Sequence, residues 1–171
     1  MLSTKESKIP GIRVTRVRLN EDPRGHFAEI QRSSEYGGFA QSNHSRSLKG
    51  VVRGLHYHQY QSDLWYVVRG RAQVALADLR NRQDPPTVEV FDLTETAPSV
   101  VLIPPGVAHG YAAIEDVDLV YWVTHEYDGS DEYGVAWDDP TLAIPWTVSQ
   151  PVLSNRDQQN PALQWNSIPR F

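Results

Sequence analysis

At 171 residues with 40% hydrophobic side chains, the chain carries enough apolar material for one domain to bury a full core. It contains no cysteine, which excludes disulfides, thiolate nucleophiles and thiolate metal ligands. A formal net charge of −5 argues against the broad basic face that nucleic acid or anionic lipid requires, and no segment approaches the ~20 apolar residues of a membrane span, so a cytoplasmic protein with neither partner is expected.

Taken in chain order, short runs rich in Val, Ile, Tyr and Trp are broken by Gly, Pro and Asp, the rhythm of an all-β sandwich or barrel. The pattern predicts strands at Ile12 to Leu19, Phe27 to Gln31 and Val51 to Tyr57. From Leu64 to Leu79 it predicts a β-hairpin turning at Arg69-Gly70, because Ala72, Val74 and Leu76 alternate with Arg71 and Gln73. Strands follow at Thr87 to Leu93, Ser99 to Ile103 and Leu119 to Thr124. Within Ile103-Pro104-Pro105-Gly106, Pro105 presets one turn dihedral and Gly106 supplies positive φ, delivering His109 to the next strand. Helix-period segments are nearly absent. With no internal repeat or linker-like shift, residues 1–171 read as a single domain with its core over 10–157 and a polar tail, 158–171, that either wraps the surface or is partly mobile.

Chemistry concentrates in two segments, Gly50 to His58 (followed by Asp63) and Pro104 to His109. In a strand, residues two apart share a face, so His56 and His58 can enter one barrel mouth together. Arg24, Arg46 and Arg53 offer local anion sites for a phosphate-bearing small molecule.

These two segments resemble the paired short motifs of the cupin superfamily, implying a double-stranded β-helix, or jelly-roll barrel, with few short helices. A wider set of blocks is similar to one branch, the dTDP-4-dehydrorhamnose 3,5-epimerases. The blocks are Asp22-Pro23-Arg24-Gly25-His26-Phe27-Ala28-Glu29, Gln41 to Ser47, Gly50 to His56, Pro105 to Tyr111, Tyr121 with Thr124 and Tyr127, Glu132, Trp137 to Pro140, and Leu153 to Asp157. Each is weak alone; their order along the chain makes the resemblance specific.

The resemblance implies inversion of carbons beside the C4 ketone of a dTDP-4-keto-6-deoxyhexose through an enolate, with no cofactor. Such a reaction needs a base, an acid on the opposite face, and a group that holds charge on the ketone oxygen. Carried over position by position, His56 is the expected base, Asp157 its orienting carboxylate and Tyr121 the acid. Arg24, Glu29, Gln41, Asn43, Arg53, His109 and Glu132 are expected to line the sugar and diphosphate site. A homodimer is also implied, with an N-terminal strand lending Arg24 and Glu29 to the partner's pocket.

The chain departs from the family pattern at Asp63, where the family carries lysine, at His58, where it usually carries glutamine, and in a shorter loop between them. An anionic carboxylate near an enolate would cost roughly 4 kcal/mol at ~4 Å and an effective dielectric near 20. His56, His58, Asp63 and His109 also resemble the ligand set of metal-binding cupins, which leaves open a metal-dependent dioxygenase or isomerase with one divalent transition metal. A 3,4-ketoisomerase or a silent sugar-nucleotide binder is a further alternative. Residue by residue, blander roles stay open: Asp63 as strand punctuation, Tyr121 as a core aromatic, Asp157 as a loop cap, Arg24 and Arg53 in surface ion pairs.

Overall fold

The computed structural model describes residues 4–5, 7–82 and 84–171. Its elements begin with β1 (Thr4–Lys5), β2 (Arg13–Arg16), β3 (Leu19–Asp22), β4 (Gly25–Ala28), α1 (Ser33–Tyr36), β5 (Gln41–Ser47) and β6 (Val52–Tyr57). They continue with β7 (Asp63–Arg69), β8 (Arg71–Asp78), β9 (Val88–Thr94), β10 (Ser99–Ile103), β11 (Val107–Ala113), β12 (Val117–Val123), β13 (Tyr133–Gly134) and α2 (Asn155–Gln158), with a 3-10 turn at Trp165–Ser167. No helix among the described residues is long and apolar enough to cross a membrane.

Two sheets face each other, one ordered β1-β2-β10-β7-β12-β5 and the other β13-β6-β11-β8-β9, while β3 and β4 form a separate ribbon. The chain crosses from sheet to sheet at β6-β7-β8 and again at β10-β11-β12, which is the all-β cupin jelly roll that the resemblance implies. The period of two decides what each strand buries. Trp65 and Val67 of β7 point between the sheets, while Leu64 and Tyr66 pack on its outer face with Val17 and Val100. On β8, Ala72, Val74 and Leu76 face inward, and Ala75 and Ala77, with Leu79 just beyond the strand, face the opposite side. Each fully buried leucine or valine contributes roughly 1.5–3 kcal/mol, so a one-residue slip in either strand would be costly.

The expected hairpin between Leu64 and Leu79 is not formed. β7 pairs with β10 and β12, and β8 pairs with β11 and β9, so the two consecutive strands lie in different sheets. Gly70 turns this corner with φ +82, and a Cβ there would lie 2.0 Å from the Asp116 carbonyl oxygen. The alternation read from the sequence is real, but both strands are buried on both faces, which a two-strand ribbon cannot provide.

Strand Ser99–Ile103 appears with the expected bounds, and Gly106 takes the expected positive φ of +77. The run Ile12 to Leu19 divides between β2 and β3, and the strand expected at Phe27 to Gln31 is the shorter β4. Strand β5 carries no apolar signal because its inward positions Gln41, Asn43 and Ser45 border a polar cavity rather than the core. Along the tail, Ile168 and Leu163 cover the smaller sheet, and Arg82 donates to the carbonyls of Trp165 and Ile168.

Candidate active site

Between the sheets, at the end of the barrel bounded by residues 125–132 and 153–157, lies a cavity of about 450 Å³. Its position depends on a close approach of two strands. Gly54 of β6 and Gly110 of β11 meet so tightly that a Cβ on Gly54 would sit 2.8 Å from the Gly110 Cα. The register slips between His109 and Tyr111 at that point, and His56 and His109 stand opposite each other.

His56 Nε2 lies 2.7 Å from Oδ1 of Asp157. Asp157 occupies the first turn of α2, where Ser154 is the N-cap and its Oγ accepts the Asp157 amide at 3.0 Å. Burial pushes the Asp157 carboxyl up, but the hydrogen bond from His56, its charge and the Ser154 and Gly54 contacts together hold it below its usual 3.8. The carboxylate is therefore ionised at neutral pH, and it occupies His56 Nε2, leaving Nδ1 as the ring nitrogen free to accept a proton.

Tyr121 of β12 lines the same cavity, flanked in register by Asn43 of β5 and Trp65 of β7. Burial raises its phenol above the ordinary 10.0, helped by the charges of Asp63 and Glu132 and opposed by Arg53, so it keeps its proton at neutral pH. Arg53 donates from Nε to Ser47 Oγ at 2.8 Å, and Ser47 in turn contacts the Tyr111 hydroxyl at 2.8 Å. Gln41 Nε2 donates to Asn43 at 2.7 Å while its Oε1 accepts the Tyr127 amide at 2.9 Å, tying the rim loop to β5. Glu132 is paired with Arg156; burial raises its carboxyl, but the arginine more than offsets that and lowers it.

The remaining candidates form a second group. His58, Asp63 and His109 are buried, and one potential ligand atom from each lies within 4.8 Å of the others. Asp63 is no solvated strand start: it is 4% exposed and accepts from Gln61 at 2.9 Å and Trp65 Nε1 at 3.2 Å. Burial holds the His109 imidazole below its usual 6.5 despite the nearby Asp63, so the ring is neutral at neutral pH. His56, expected as a fourth ligand in the metal reading, lies outside this group and is paired through Nε2 with Asp157 instead.

Eight of the ten residues expected in the epimerase site thus line one cavity: His56, Tyr121, Asp157, Gln41, Asn43, Arg53, His109 and Glu132. Arg24 and Glu29 do not. Arg24 sits at the tip of the β3–β4 ribbon, its side chain 89% exposed and paired with Asp22. Glu29 pairs with Arg32 beside a separate groove. Arg46 faces outward to Asp116 at 3.6 Å. The structure adds Gln61, Tyr111, Ser45 and Arg156 to the lining. Of these, Ser45, Tyr111 and Arg156 lie within the family-like blocks without having been singled out, and nothing near Gln61 marks it in the sequence.

A family model for dTDP-4-dehydrorhamnose 3,5-epimerase matches residues 6–164. The spore coat polysaccharide biosynthesis protein SpsL of Bacillus subtilis (strain 168) is 40% identical over 149 residues, covering 82% of this chain and 97% of that protein. The dTDP-4-dehydrorhamnose 3,5-epimerase of Shigella flexneri is 31% identical over 169 residues, 89% of this chain and 91% of the relative. Among solved structures, the dTDP-6-deoxy-D-glucose-3,5-epimerase RmlC of Legionella pneumophila Philadelphia 1, in complex with dTDP-4-keto-L-rhamnose, superposes with a TM-score of 0.90 at 29% identity, covering 100% of this chain and 99% of the other. These likenesses favour the epimerase reading over that of a metal-dependent cupin enzyme, whether dioxygenase or isomerase. A match that runs nearly end to end, on a jelly roll of the same shape, makes this chain a member of the dTDP-4-dehydrorhamnose 3,5-epimerase family of isomerases.

Proposed function

We propose that this protein epimerises a dTDP-linked 4-keto-6-deoxyhexose at C3, C5 or both, in the cytoplasm and as a homodimer. The observation that carries the reading is the His56–Asp157 pair at 2.7 Å in a cavity that also holds the protonated Tyr121. His56 Nδ1 removes the proton from a carbon beside the C4 ketone, and the electron pair moves onto the ketone oxygen as an enolate. Asp157 stabilises the imidazolium that results. Tyr121 returns a proton to the opposite face of the carbon, the enolate collapses to the ketone, and solvent resets both groups. Only protons are transferred, so no redox or organic cofactor is called for.

Arg53 suits the diphosphate, since its guanidinium keeps N–H groups beyond those given to Ser47 Oγ and the Arg46 carbonyl. Arg24 and Glu29, outside their own cavity, would reach a partner's cavity if the exposed β3–β4 ribbon crosses between subunits. Sedimentation should then report a dimer, and Arg24→Ala should weaken sugar-nucleotide binding.

The deciding experiment incubates the protein in deuterated water with dTDP-4-keto-6-deoxyglucose and related 4-keto sugars. Deuterium should enter at C3, C5 or both, and His56→Ala should abolish incorporation. Binding of dTDP with no exchange on any substrate would overturn the epimerase reading in favour of a silent binder, and migration of the ketone to C3 would identify a 3,4-ketoisomerase.

A further inference from the structure

We infer that His58, Asp63 and His109 form a binding site for one divalent transition metal, such as Zn2+ or Co2+, separate from the His56–Asp157 pair in the same cavity. The argument is an accounting of hydrogens. His58 Nδ1 lies 2.5 Å from the Asp131 carbonyl oxygen, and His109 Nδ1 lies 2.9 Å from that of Val107. A carbonyl can only accept, so each ring spends its Nδ1 proton there, which leaves Nε2 as the nitrogen that can offer a lone pair toward Asp63. The Nε2 atoms of His58 and His109 stand 3.9 and 3.8 Å from the two oxygens of that carboxylate.

Three buried acceptors therefore face one another. Gln61 Nε2 reaches His58 Nε2 at 3.2 Å and Asp63 Oδ1 at 2.9 Å, so a partial positive charge already occupies part of the space between them. Among the described residues, no donor reaches Nε2 of His109. That nitrogen lies on the cavity lining with a lone pair to offer, and a single cation would bridge it to the other two ligand atoms.

The donor set fits such an ion. Two imidazoles and a carboxylate suit borderline divalent metals, with bonds of about 2.0–2.2 Å, so ligand atoms on one ion stand at most about 4.2 Å apart. The three atoms here lie within 4.8 Å, and a shift of roughly half an ångström with displacement of the Gln61 amide would close the site. Both imidazoles are already oriented by hydrogen bonds from the other ring nitrogen to a backbone carbonyl, the arrangement that holds metal-ligating histidines in place. The Asp131 carboxylate in turn accepts the amides of Gln59, Tyr60 and Gln61 at 2.6, 2.9 and 3.0 Å, which anchors the loop carrying its carbonyl.

The site lies in the cavity wall, where a three-coordinate ion keeps a position open to ligand. Resting on the epimerase reading, that open position would let the ion withdraw charge from the ketone oxygen at the place where the carboxylate of Asp63 would otherwise repel it.

The test uses the full-length protein stripped with a chelator and titrated with Co2+ followed by visible absorption, and with Zn2+ in a calorimeter. One equivalent should bind with micromolar or tighter affinity. Asp63→Asn and His109→Gln should each weaken binding at least ~100-fold, whereas His56→Ala should leave stoichiometry unchanged. In wild-type protein, Co2+ should shift the Nδ1–H proton resonances of His58 and His109, a readout that survives if a variant fails to fold. Absence of binding at millimolar Co2+ and Zn2+, or binding that ignores both substitutions and leaves those resonances in place, overturns the site. Binding is read without turnover, so metal capture with no deuterium exchange would count against the epimerase reading alone.

Discussion

His56 and Asp157 are 101 residues apart in sequence and 2.7 Å apart in space. One lies on β6 and the other in the short helix α2, and they meet because α2 is packed against β6 at the mouth of the barrel. This pairing directs the free ring nitrogen, assigns the proton on Nε2, and keeps a negative charge behind the imidazole.

Removing that charge while keeping the shape should slow proton abstraction. Asp157→Asn is expected to lower the deuterium exchange rate roughly 10²-fold or more, the usual scale for a positioned acid–base group. Substrate affinity should change much less, so the loss should appear in kcat rather than KM. A variant that exchanges at the native rate would remove Asp157 from the mechanism.

The same carboxylate makes stability depend on pH. Its folded pKa lies below 3.8, so as pH falls the unfolded chain binds the proton first. The stabilisation is complete above the unfolded pKa and is lost as pH drops through the folded one. Denaturant midpoints for wild type should therefore exceed those of Asp157→Asn at neutral pH, and the gap should narrow steadily below about pH 4.

Tyr121→Phe keeps the ring and deletes the proton. His56 still abstracts, so exchange should continue while inversion falls by roughly 10²-fold or more, with deuterium returned to the original face. Because burial raises the phenol above 10.0, ionisation of Tyr121 should not limit the wild-type rate across the neutral and mildly alkaline range. NMR of the recovered sugar distinguishes exchange with retention from exchange with inversion.

Gly54→Ala tests the strand crossing. The new Cβ would meet the Gly110 Cα and the His109 carbonyl oxygen, both at 2.8 Å, in a backbone with φ +115. A loss of about 2–4 kcal/mol of unfolding free energy is expected from denaturant melts, with the surviving fold impaired in activity because His56 and His109 sit beside the clash. An unchanged midpoint would mean that the two strands separate without cost.

Arg53→Lys probes the anion. Lysine keeps the charge and loses the fork, so calorimetry should show dTDP binding weakened by roughly 10-fold, with little change in melting temperature.

Much of this molecule can be read from local sequence because local periodicity reports which face of a strand is buried. The alternation in Leu64 to Leu79, the positive φ of Gly106 and the shared face of His56 and His58 are all properties of a few consecutive residues, and all are present. What lay beyond reach were relations between distant segments. Alternation cannot say which sheet a strand joins, so a corner at Gly70 read as a hairpin. A polar strand facing a cavity carries no apolar mark, so β5 went unseen. The family blocks named most of the cavity lining, but one chain's own packing leaves Arg24 and Glu29 outside it. Only the folded structure separates His56 from His58, Asp63 and His109, because a histidine's role follows from the partner each ring nitrogen finds, and those partners come from chain segments far away in sequence.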